Sequence, residues 1–134
     1  MSGRTVSEEC HRWLRYAKED LAAKALHREP STSPRHACWV AQQSAEKALK
    51  AALIALQIDY PRNHDLDLWL RMLPAHWNTR RQVPDLSELG EWSIEARYPG
   101  EWPEPSADDA FTAIDQAQTV LGIIEADLVS EGLV

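Results

Sequence analysis

The sequence predicts an all-α domain, and three observations carry that reading. Arg35–Gln57 (RHACWVAQQSAEKALKAALIALQ) sets Ala37, Val40 or Ala41, Ser44, Ala45, Ala48, Leu49, Ala52, Leu53 and Leu56 at three- and four-residue steps. That spacing is one apolar stripe along a helix. No segment alternates apolar and polar residues for long enough to form a strand. The links between periodic segments are short and rich in helix breakers, so neighbouring helices should fold back on one another. The expected architecture is an antiparallel up-and-down bundle of four main helices plus one short helix. It forms a single domain over residues 1–134, with a core from about 7 to 130.

Each element has its own signals. The first helix should run from about Ser7, which resembles a cap, to Arg28, with Cys10, Trp13, Leu14, Ala17, Leu21 and Lys24 or Ala25 on its buried edge and Asp20 beside that edge. The link from Glu29 to Pro34 ends it. Ser33 can cap the second helix, and Pro34 fits a first turn where a missing N–H is harmless. The alanines of its stripe let a neighbouring helix come close, while Gln42, Gln43, Glu46, Lys47 and Lys50 form a polar face. A loop follows from Ile58 to His64; Asn63 or Asp65 can cap a short helix from Leu66 to about Leu73, closed by Pro74. Residues 75–83 read as a connection carrying Arg80 and Arg81. The next helix starts near Pro84-Asp85, carries Leu86, Leu89, Ile94 and Tyr98, and stops by Pro99-Gly100. Ser106 caps the last, Ala107 to about Ser130, whose apolar set is Ala110, Ala113 or Ile114, Ala117, Val120 or Leu121, Ile124 and Leu128.

Composition excludes several classes. With 134 residues and 44% hydrophobic content, the chain can bury a core without disulfides or metal. There is no apolar run of about 18 residues, and the N-terminal stretch has no apolar signal core, so a cytoplasmic protein without membrane contact is expected. Cys10 and Cys38 read as buried thiols. The net charge of −7 is unevenly spread. Residues 1–34 balance at +1 and residues 35–81 at +3, whereas residues 82–134 hold Arg97 against twelve acids, or −11. A general nucleic-acid coat would need denser Lys and Arg.

Cys10-His11 and His36-x-Cys38 resemble two metal-ligand pairs. In antiparallel helices, however, the two starts are about 25 Å apart, from roughly 18 residues at 1.5 Å each. Zinc ligands lie within about 2.3 Å of one ion. No metal and no cofactor is expected. Gly-x-Ser-x-Gly is absent, no histidine follows His76, and the five glycines are scattered rather than gathered in a phosphate loop. What remains is the polar face of the second helix, with Gln42/Glu46, Gln43/Lys47 and Glu46/Lys50 each four residues apart, together with His64 and Arg97-Tyr98 near helix ends.

Four stretches, AKEDL (17–21), AQQSAEKALKAAL (41–53), HDL (64–66) and RYPG (97–100), together resemble the HEPN domain family. The likeness spans roughly residues 10–128, and the second stretch is the most specific. The resemblance implies a bundle of four to five helices, a homodimer, and a minimal nucleotidyltransferase partner in a toxin–antitoxin or stress and defence module. It further implies a nucleotide or RNA ligand, with His64, Arg97, Tyr98, Gln43, Glu46 and Lys47 as candidate binding residues. Many members are metal-independent ribonucleases with Arg-x4-6-His near the last helix, where an arginine holds phosphate and a base takes a ribose proton. Here Arg97 is followed by Tyr98-Pro99-Gly100 and no histidine, which places ligand binding with a partner ahead of catalysis by the chain alone. If the chain does cleave RNA, Arg97 and His64 are the candidate catalytic residues. Arg4 to His11 and Arg71 to His76 fit the spacing and read as chance matches. A non-catalytic interaction module is the third reading.

Overall fold

The computed structural model describes residues 3–25, 33–95 and 104–134, and all regular structure in them is helical. Helix α1 is Val6–Ala25, α2 Pro34–Ala55, α3 Leu66–Arg71, α4 Asn78–Gln82, α5 Ser87–Glu95 and α6 Ala107–Ser130. Helix α2 is the hub and packs against α1, α6, α5 and α3. Its Ala41, Ala45, Ala48, Ala51 and Ala52 are fully covered, with Leu49 and Leu53 between them. Each such leucine contributes about 2 kcal/mol by leaving water. The small alanines let neighbouring backbones approach closely enough for Ser44 Oγ to donate to the Ala17 carbonyl at 2.8 Å.

The bundle differs in detail from the expected one. Helices α1 and α2 are antiparallel, as the Ser44–Ala17 bond and the Lys50–Trp13 contact require. Helices α2 and α6 start at the same end, where Arg35 meets Glu104 at 4.0 Å. Between them the described residues hold three helices, α3, α4 and α5, against an expected two, and the expected end of the second, by Pro99-Gly100, lies outside the described residues. The additional one, α4, falls in the stretch read as a connection. It has no side-chain cap of its own. Asp127 of α6 supplies one from across the fold, accepting from Thr79 N (2.7 Å), Thr79 Oγ1 (2.6 Å) and Asn78 N (3.2 Å).

The helix ends follow local chemistry, in places one register away from expectation. Helix α1 is capped by Thr5 rather than Ser7: Glu8 N donates to Thr5 Oγ1 at 3.1 Å, and Thr5 N donates back to Glu8 at 3.3 Å, a reciprocal box. Ser33 sits at the start of α2 but makes no side-chain cap bond; Pro34 occupies the first turn. Helix α2 ends two residues early, at Ala55. There Gln57 takes φ +55°, and Ile58 N reaches back to the Leu53 carbonyl at 2.9 Å. Asp65 caps α3 through Leu68 N, and Ser106 caps α6 as expected, with Asp109 completing a reciprocal box.

Candidate functional site

The polar face of α2 does not simply lie in solvent. Gln42 is fully buried and Glu46 is 6% exposed, so their polar atoms need partners. They form a directed chain. Gln43 Nε2 donates to Gln42 Oε1 at 2.7 Å, Gln42 Nε2 donates to Glu46 Oε1 at 3.4 Å, and His64 Nδ1 donates to the same Glu46 oxygen at 2.5 Å. The carboxylate side chain is 8% exposed and the imidazole 63%. A covered anion therefore fixes one nitrogen of a ring that stands in solvent, leaving Nε2 outward. This is the arrangement by which a carboxylate orients a histidine for hydrogen bonding or proton transfer.

The loop that delivers His64 is constrained on both sides. His64 itself has φ +59°, a left-handed conformation uncommon for a residue with a side chain. Asn63 Oδ1 accepts from Asp65 N at 3.1 Å just beyond it. Upstream, Trp69 Nε1 donates to the Pro61 carbonyl at 2.9 Å, and the Tyr60 ring meets Trp69 edge-on at 5.0 Å. Burial pushes the Tyr60 phenol above its usual range, Arg62 opposing and the Glu46 charge adding to the rise. Tyr60, Arg62 and Glu46 thus share one electrostatic neighbourhood.

Of the expected binding residues, the structure joins Glu46, His64 and, through Gln42, Gln43. Lys47 is drawn the other way, to Asp20 on α1 at 2.6 Å. Arg97 and Tyr98 lie outside the described residues. Gln42, whose buried amide links Gln43 to Glu46, belongs to the site as well; its sequence signal was a polar residue one step from an apolar stripe. Asp20 had the same signal, a polar residue beside a buried edge, but its pairing with Lys47 joins residues 27 apart and has no local mark.

Other candidates have structural partners. His11 Nδ1 donates to the Ser7 carbonyl at 2.8 Å, and His76 Nε2 meets Glu131 at 2.7 Å. Burial pushes the Cys10 thiol up to about 11 and the Cys38 thiol up to about 12, the latter aided by Asp109 and Glu88. Neither is a nucleophile at neutral pH. Among the described residues no three His, Cys, Asp or Glu side chains could hold a metal ion, and no helix is long and apolar enough to cross a membrane. A concavity of about 1140 Å³ lies elsewhere, between the start of α1 and the end of α6. Its cations are already paired: Arg4 and Arg12 with Glu9, Arg15 with Glu19, and Lys18 with Glu125. Those pairs are largely exposed, whereas at His64 a covered carboxylate holds an exposed ring, so the His64 face is the stronger candidate.

A family model described as HEPN domain matches residues 10–127, which includes α2 and the His64 loop. Comparison with curated proteins and with solved structures gave no match.

Proposed function

The chain belongs to the HEPN family, and from that premise we propose that it binds a nucleotide or nucleotide-like group at the Glu46–His64 pair. Membership places it among proteins of nucleotide- and RNA-related function. The observation that carries the finer reading is the 2.5 Å bond from His64 Nδ1 to Glu46, formed by a covered carboxylate and an exposed ring. Held in this way, Nε2 offers one aimed group to a base edge or ribose hydroxyl. Gln43 and, beyond the described residues, Arg97 and Tyr98 complete the proposed contact set. In this reading the protein acts as a homodimer with a minimal nucleotidyltransferase partner, in a toxin–antitoxin or stress and defence module.

Calorimetry with a panel of nucleotides, on the protein alone and with a minimal nucleotidyltransferase encoded beside it, tests the proposal. Binding that is lost in His64→Ala, with the melting temperature kept within a few degrees, is the expected result. An absence of binding in both preparations refutes it.

A ribonuclease reading comes second, because the same carboxylate–imidazole pair has the arrangement of a general base. RNA cleavage by the wild type, with none by His64→Ala or Arg97→Ala, would establish it.

A further inference from the structure

Glu46 and Lys50 stand four residues apart on α2, a spacing at which carboxylate and ammonium ordinarily pair across one turn. Here they do not pair. The Glu46 carboxylate is taken by His64 and Gln42. The Lys50 ammonium lies instead over the indole of Trp13 on α1, 4.3 Å from the ring centroid. Among the described residues no carboxylate lies within ion-pair distance of it, whereas Lys47, one turn back, is neutralised by Asp20 at 2.6 Å. Trp13 is itself braced edge-on by Tyr16 at 5.6 Å. Contact with the ring face fixes the position of the ammonium but accepts none of its three N–H donors in the manner of an oxygen. Lys50 is therefore a half-buried, held cation with its charge uncompensated by any described carboxylate, on the helix face that carries Glu46.

We infer that Lys50 is the anion-binding group of the His64 site, taking a phosphate oxygen of the bound nucleotide while Trp13 holds the ammonium in place. The inference rests on the nucleotide reading above and names the charged group recognised. Glu46, which holds His64, and Lys50 are one helical turn apart, about 6 Å along the axis of α2, so both groups stand on one face of the helix. Arg62, exposed in the loop two residues before His64 and forming no ion pair with a described residue, adds positive potential to the same region.

The test compares wild type, Lys50→Gln and Lys50→Arg in titrations with the four ribonucleosides, their 5′-monophosphates and a mixed-sequence oligoribonucleotide, at low and moderate salt. The wild type should prefer a phosphorylated ligand over its nucleoside by about tenfold, as for a charged hydrogen bond. Lys50→Gln should remove that preference, leave nucleoside affinity within about twofold, and flatten the salt dependence; Lys50→Arg should retain it. A Lys50-dependent preference for the monophosphate identifies a terminal phosphate, and one for the oligoribonucleotide alone identifies a phosphodiester. A phosphate preference unchanged in Lys50→Gln, or no preference in the wild type, overturns the inference and leaves the nucleotide reading standing. Absence of all binding by the wild type overturns both.

Discussion

At Glu46 a single carboxylate is withheld from the lysines on its own helix and directed to a histidine from a distant loop. The loop pays for this with a left-handed residue at His64, a conformation that costs on the order of 1 kcal/mol and persists where neighbours over-determine it. Glu46→Gln keeps the shape but weakens the hold on the imidazole. Ligand affinity should fall several-fold with little change in melting temperature, as calorimetry and thermal denaturation would show. Glu46→Ala should also destabilise, by about 2 kcal/mol, because it leaves the buried Gln42 amide without its acceptor. The thiols provide a separate prediction at this scale. Burial holds Cys10 at about 11 and Cys38 at about 12, whereas thiols in the unfolded chain ionise near about 8.5. The neutral form is favoured by folding, so stability is complete below about pH 8.5 and falls as pH rises beyond it, by up to roughly 1 kcal/mol per pH unit for each thiol. Urea midpoints at pH 8 and pH 10 should show this fall, and it should shrink in Cys38→Ala compared with its own value at pH 8. An equal decline in wild type and variant would contradict the assignment.

Among the elements, α4 depends most on a remote group. Its first turn is satisfied by Asp127 through three bonds of 2.6–3.2 Å. Asp127→Ala should therefore cost about 2–3 kcal/mol, several degrees in melting temperature. Ser130→Ala, on the exposed end of the same helix, should cost almost nothing. The long helices were legible in the sequence because their signals are local: the alanine stripe of α2, the Ser106 cap and the proline-rich link before α2. Helix α4 was not, because its cap lies 48 residues away. The start of α1 was misplaced for a smaller reason, since Thr5 with Glu8 is also a box and lies two residues ahead of Ser7. The site was half legible. Position and polarity marked Glu46 and His64 separately, but nothing local shows that Glu46 turns inward to His64, or that Lys50 settles on Trp13 and Lys47 on Asp20.

For the molecule as a whole, charge is segregated along the chain. The α2 and loop region, residues 35–81, balances at +3, against −11 for residues 82–134. Glu46, Lys50 and His64 thus fall in the stretch with the most positive balance of a chain whose net charge is −7, which favours an anionic ligand there over a coat of nucleic acid around the whole surface. The competing location is the groove between the start of α1 and the end of α6, whose cations meet Glu9, Glu19 and Glu125. Amide chemical-shift mapping during titration with the nucleotide that binds in calorimetry separates the two most directly. Shifts confined to residues 42–50 and 60–66, and absent in His64→Ala, are the predicted result. Shifts gathered on residues 4–18 and 125–134, with residues 42–50 and 60–66 unmoved, would contradict it.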